Sequence, residues 1–226
     1  MAEPQAQILP TYVIIDESKS MEGTEQDLQA GLETLLDALQ ENADASAVAH
    51  VGVVGFSDAA FVRQPLTDWA ELAEVPELQL GVRTSYQAAF ELLRDTIEDD
   101  VEALKASNYR VLRPAVFFLS DGKPNLGSWE NAHEALVSSD FKYRPNVLAF
   151  GIGEAEPEII AQVATHEDYA FMVEAGILPG DALLKFFTAL TRSVIASGAG
   201  VATGGERAAL QVAQPEGFIN IEVDGV

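Results

Sequence analysis

The chain has 226 residues, 36 of them acidic and 13 basic, for a formal charge of −23, and it contains no cysteine. Such a charge repels a phosphate backbone or an anionic leaflet at long range, and no run of Lys or Arg offsets it locally. The lack of thiols excludes disulfides, thiolate metal sites and cysteine nucleophiles, while 48% hydrophobic residues exclude disorder and supply a sizeable core. The segment 1–7 has no basic stretch leading into an apolar one, and no apolar run approaches the ~20 residues that span a bilayer. The expectation is a soluble cytoplasmic protein that binds neither nucleic acid nor membrane.

Thr11-Tyr12-Val13-Ile14-Ile15-Asp16 is a continuous β-branched run ending at a carboxylate, the pattern of a buried parallel strand. From Thr24 to Asn42, Leu28, Leu32, Leu35, Leu36 and Leu39 repeat at helical spacing. Val51–Phe56 reads as a second strand, and Ala60-Phe61-Val62 before Pro65 as a third at a sheet edge. Residues 67–83 are irregular. A helix over Tyr86–Lys105 turns Phe90, Leu93, Ile97, Val101 and Leu104 to one side and an acidic row to the other. Ala115–Gly122 is the strongest strand, again ending at an Asp. A short helix over Trp129–Val137 leads to a strand at Val147–Phe150. A helix over 157–164 opens with Pro157 in its first turn, and a sixth strand follows at Tyr169–Val173. Asp181–Ser197 closes the series with a helix burying Leu183, Leu184, Phe187, Leu190 and Val194.

Strands alternating with helices predict an α/β fold: a doubly wound, mostly parallel six-stranded sheet, Rossmann-like, covered on both faces. This domain occupies 1–197. Residues 198–226 read as a glycine-rich joint followed by a β-hairpin on the sheet edge, with limbs Leu210–Val212 and Phe218–Val223.

Asp16, Ser18 and Ser20 form D-x-S-x-S in the loop leaving the first strand, where open α/β sheets bind ligands. Asp121 leaves the strongest strand in the same way, and Thr84 lies just before the long helix, with Ser85 beside it as a competing hydroxyl. Two carboxylates and three hydroxyls are hard oxygen donors suited to Mg²⁺, Mn²⁺ or Ca²⁺ and unsuited to Zn²⁺. With only two anionic donors, such an ion keeps residual positive charge and an open position for an Asp or Glu of a protein partner.

The order and loop context of Asp16, Ser18, Ser20, Thr84 and Asp121 resemble the metal-ion-dependent adhesion site of von Willebrand factor A domains, over roughly residues 8 to 197. The resemblance implies a non-enzymatic, metal-dependent protein-binding module. Tyr12–Met21, Arg113–Pro124, Val147–Gly153 and Asp181–Phe187 are similar to bacterial members of the TerY type, associated with tellurite resistance and stress response. That likeness implies a scaffold beside a protein kinase or a PP2C-type phosphatase. Lys19 stands where many relatives have Gly.

Competing readings are weaker. A magnesium-dependent phosphohydrolase of the haloacid-dehalogenase type needs a second Asp where Ser18 stands. A structural subunit with a vestigial metal loop would not need the intact donor set. Gly55-Phe56-Ser57 resembles a nucleophile elbow, but a strand rather than a helix is expected after it. Gly151-Ile152-Gly153 lacks the third glycine of a dinucleotide loop and reads as a tight turn. His50, His133 and His166 show no ligand spacing.

Overall fold

A computed structural model describes residues 5–202 and 210–221. In chain order the elements are β1 (Gln7–Asp16), α1 (Glu25–Gln40), α2 (Ala43–Ser46), β2 (Ala49–Phe56), β3 (Ala60–Asp68), α3 (Tyr86–Ala106), β4 (Arg110–Val111), β5 (Ala115–Ser120), α4 (Glu130–Val137), β6 (Asn146–Gly151), α5 (Pro157–Val163), β7 (Ala170–Val173), α6 (Pro179–Ala202) and β8 (Phe218–Asn220). Short 3-10 turns precede α1, follow β3 and precede β7.

The central strands are buried on both faces, so their apolar residues alternate between two cores. Val13 and Ile15 of β1, with Phe117 and Leu119 of β5, pack with Leu32 and Leu35 of α1 and Phe187 and Leu190 of α6. Tyr12, Ile14, Val116 and Phe118 point the other way, against Phe90, Leu93 and Ile97 of α3, Leu136 of α4 and Ile160 of α5.

The sheet runs β3-β2-β1-β5-β6-β7-β8, with β4 also pairing on β1. Strands β2, β4 and β5 lie parallel to β1, and β6 and β7 continue the parallel run. The two edge strands, β3 and β8, are antiparallel to their neighbours. Pro65 sits in edge strand β3, as expected of a residue with no N–H to give. The chain winds outward from β1 through β2 and β3, then α3 returns it to β5 on the opposite side of β1. The winding therefore reverses between β1 and β5, and a crevice opens at their carboxyl ends.

The sheet has eight strands where six were expected; β4 is new, and β8 falls within the Phe218–Val223 limb expected on the sheet edge. The glycine-rich stretch read as a joint is helical as far as Ala202, because α6 needs small residues where it crosses α2. A Cβ on Gly198 would stand 2.6 Å from Ala45 Cα. Among the described residues Leu210–Val212 is not a strand and does not pair with Phe218–Asn220, which pairs with β7 instead. Leu210 and Val212 pack on the α1/α6 core, while α6 hydroxyls take the place of a partner strand: Ser197 Oγ accepts the Gln211 N–H (2.9 Å) and Ser193 Oγ the Ala213 N–H (3.0 Å). Thr203-Gly204-Gly205 of the expected joint, and the end of the expected strand at Val223, lie outside the described residues.

Charge also departs from expectation. Lys105, Arg113, Lys142 and Arg144, dispersed in sequence, line one cavity at the amino ends of β5 and β6. Among the described residues no helix is long and apolar enough to cross a membrane.

Candidate metal centre

Asp16 is the last residue of β1 and Asp121 follows the last residue of β5, so the two carboxylates flank the point where the winding reverses. Asp16 is fully buried: its Oδ1 accepts the Ser18 N–H (2.9 Å) and its Oδ2 accepts the Ser120 hydroxyl (2.6 Å). The Ser18 and Ser20 hydroxyls lie 2.9 Å apart, and Ser20 Oγ donates to Asp121 Oδ1 (2.7 Å). Ser20 and Lys19 are exposed, so the cluster opens to solvent on this side.

Thr84 reaches the same point from a third loop. Asn125, four residues beyond Asp121, accepts the Thr84 N–H through its side chain (3.0 Å) and donates its own N–H to the Thr84 carbonyl (3.0 Å). A Cβ built on Gly122 would lie 3.6 Å from Ser20 Oγ and 3.9 Å from Thr84 Oγ1, so both hydroxyls converge over that glycine. Neighbouring Ser85 is engaged elsewhere: its Oγ caps α3 by accepting the Ala88 N–H (3.2 Å). All five residues singled out from the sequence thus meet at one crevice.

Burial pushes the Asp16 carboxyl up to about 6. The hydrogen bonds from Ser120 and Ser18 oppose this rise, and the neighbouring charge of Asp121 adds to it. Burial likewise raises Asp121, against the bond from Ser20. Among the described residues no basic side chain pairs with either carboxylate. Two desolvated acids, three hydroxyls and no protein counter-charge are a donor set that fits a small hard divalent cation. The described residues hold no group of three or more His, Cys, Asp or Glu suited to a metal ion.

Several residues that sequence reasoning passed over build this crevice. Ser120 holds the second oxygen of Asp16, and the Tyr86 hydroxyl donates to the Gly122 carbonyl (3.2 Å). Glu17, inside the D-x-S-x-S loop, is fully buried and receives both arms of Arg63 on β3 (Nε to Oε1 3.0 Å, Nη2 to Oε2 2.6 Å). Its Oε1 also accepts the Gln79 N–H (3.0 Å), and its carbonyl accepts the Gly81 N–H (2.7 Å). Glu17 therefore ties the Asp16 loop to the segment leading into Thr84. Space for its carboxyl exists because residue 55 is Gly; a Cβ there would fall 2.2 Å from Glu17 Cδ. Nothing in the sequence flags this pair, since Arg63 lies 46 positions away.

The remaining motifs are structural. A strand, β3, follows Ser57, as expected. The Gly151–Gly153 segment is a tight turn with Gly153 at φ 56°, and it braces the crevice: Ile152 N–H bonds the Ser120 carbonyl (3.0 Å) and Glu154 N–H the Asp121 carbonyl (2.9 Å). His133 Nε2 bonds the Val163 carbonyl (2.9 Å), and burial holds its imidazole below the usual pKa.

Solved structures share this architecture. Proximal thread matrix protein 1 from the mussel byssus, in a form with a zinc-occupied MIDAS motif, aligns at TM-score 0.58 and 19% identity, covering 85% of this chain and 49% of that one. The pilus adhesin SpaC from Lactobacillus rhamnosus GG aligns at 0.64 and 14%, covering 84% and 30%. A von Willebrand factor type A protein from Catenulispora acidiphila aligns at 0.61 and 17%, covering 84% and 43%. The chain thus spans half or less of each of these proteins, and at such identities the likeness shows the fold. Among curated proteins no significant sequence match is found. The profile of the von Willebrand factor type A domain matches residues 11–123, which contain all five crevice residues and half of the chain. With its doubly wound sheet and the crevice between β1 and β5, the chain belongs to the von Willebrand factor type A domain family.

Proposed function

We propose that this protein is a divalent-metal-dependent protein-binding module, in which Asp16, Ser18, Ser20, Thr84 and Asp121 hold Mg²⁺, with Mn²⁺ or Ca²⁺ as substitutes, and a partner contributes an Asp or Glu. The observation that carries this reading is the chain of hydrogen bonds from Asp16 through Ser18 and Ser20 to Asp121, closed over Gly122 by Thr84, with no basic side chain among the described residues to neutralise it. When bound, the cation supplies an open coordination position for an outside carboxylate. The protein's own residues do the rest. Ser120 orients Asp16, Asn125 fixes Thr84, and the Glu17–Arg63 pair holds the two loops together, so the donors are arranged before an ion arrives. The mussel protein's zinc supports metal binding at such a motif, whereas the all-oxygen donor set here favours Mg²⁺.

The finer reading is a cytoplasmic bacterial scaffold of the TerY type, with a protein kinase or PP2C-type phosphatase as neighbour, and it rests on the local likeness of stretches such as Tyr12–Met21 and Arg113–Pro124. Binding rather than catalysis is proposed because Ser18 stands where a phosphohydrolase of this topology needs its second Asp.

The test is a pull-down from native lysate with and without chelator, beside calorimetric titration of the chain with MgCl₂ and MnCl₂. Metal binding that Asp16→Ala abolishes, with a partner released by chelator, is the expected result. Heat-silent titrations at millimolar metal would leave the crevice a vestigial structural feature, and turnover of a generic phosphomonoester lost in Asp16→Asn would make the protein an enzyme.

A further inference from the structure

A second site lies at the opposite end of the sheet. Lys105 in the last turn of α3, Arg113 before β5, and Lys142 and Arg144 before β6 line a cavity of about 210 Å³. Four of the thirteen basic residues of a strongly acidic chain meet there, and no Asp or Glu is among the lining residues. Elsewhere Arg63, Arg83, Arg94, Lys123 and Arg192 each reach a carboxylate; among the described residues, none of these four forms an ion pair. Glu102, whose charge is felt by Lys142, does not line the cavity.

We propose that this cavity binds a phosphate-type dianion. The ammonium groups of Lys105 and Lys142 both stand over the buried Tyr143 ring, at 4.3 and 4.9 Å from its centroid, which gathers two like charges on one mouth. Lys105 is accounted for by the negative end of the α3 dipole, and Arg144 by the Ser139 carbonyl it bonds (3.3 Å); Arg113 and Lys142 come from loops and meet no carboxylate among the described residues. The Arg113 guanidinium, with the part of Arg144 not given to the Ser139 carbonyl, matches a tetrahedral oxyanion, and four positive charges exceed what a single carboxylate can balance. The volume lies below the roughly 300 Å³ at which drug-sized ligands begin to fit, so the ligand is a phosphate group itself, free or displayed on a side chain. Helix α3, with 21 residues and about 1.5 Å of rise each, separates this cavity from Thr84 by about 30 Å, so the site is independent of the metal crevice.

The experiment titrates the full chain with sodium phosphate at constant ionic strength, followed by calorimetry. Saturable binding is expected, weakened at least about tenfold in Arg113→Gln/Arg144→Gln, with unchanged thermal midpoint and unchanged Mg²⁺ response. Lys105→Gln/Lys142→Gln is the second variant, should the first disturb folding, and the same loss is expected. A linear, non-saturating titration, or equal affinity in wild type and both variants, overturns the proposal. So does a triglutamate peptide that binds as tightly as phosphate. A short phosphoserine peptide that outcompetes free phosphate identifies a phosphorylated protein as the source; parity identifies the free anion.

Discussion

The two ends of the sheet leave opposite charges unsatisfied. At the carboxyl ends of β1 and β5, Asp16 and Asp121 are buried among hydroxyls, with no basic partner among the described residues. At the amino ends of β5 and β6, four cations surround a cavity with no acidic lining. Between these extremes, Glu17 and Arg63 show what the fold does with charge when structure alone is at stake: it pairs both oxygens with both arms of a guanidinium. A buried pair of that kind costs desolvation and regains it by geometry, whereas the buried Asp16 carboxyl has no such partner and the four cations, three of them exposed, repel one another through solvent. That difference is what the two proposed sites rest on.

Coupling between the two poles would show first in the largest expected effect. Asp16→Ala is expected to weaken Mg²⁺ and Mn²⁺ by about a hundredfold or more in calorimetry, exceeding the usual effect of losing an outer-shell partner. Phosphate titration of the same variant should be unaltered; a parallel loss would mean the poles are coupled. Next in size is Arg63→Met, which leaves the fully buried Glu17 carboxylate facing only the Gln79 N–H. A loss of about 3 kcal/mol in denaturant unfolding is expected, with weaker metal binding as the Thr84 segment loosens. Unchanged stability would show that the pair contributes nothing to the scaffold.

Ser120→Ala tests the crevice by removing the donor to Asp16 Oδ2 together with the acceptor of the Gly122 N–H (3.3 Å). Metal affinity should fall about tenfold while the partner-free fold persists by circular dichroism. The smallest effect concerns His133, outside both poles. Its folded pKa is lowered by burial, so its contribution to stability is complete above the unfolded value near 6.5 and is lost as pH falls below it. Urea unfolding at pH 5.5 and 7.5 should show a smaller difference for His133→Gln than for wild type.

Much of the fold was legible because its signals are local. The β-branched runs at Val13–Ile15 and Val116–Leu119, and the leucine spacing from Leu28 to Leu39, report burial through neighbours in the chain. The crevice residues were legible for a related reason, since Asp16 and Asp121 each end a strand and parallel strands end on one side. What escaped were features decided by contacts far apart in sequence. Gly198 read as a joint because the sequence cannot show Ala45 pressed against it. Leu210–Val212 read as a strand because an alternating pattern does not reveal that Ser197 and Ser193 take up the Gln211 and Ala213 N–H groups.

Taken alone, the amino-acid order determined the α/β class and the ends of β1 and β2 at Asp16 and Phe56, and it pointed to five oxygen-bearing residues, because periodicity and strand termini are properties of short segments; β3, read as Ala60–Val62, runs on to Asp68. Only the tertiary structure decided that Asn125 holds Thr84, that Arg63 closes on Glu17, and that four scattered cations share one cavity. Such meetings depend on which strands become neighbours when the winding reverses at β1, and that choice is made by packing the whole sheet between its two layers of helices.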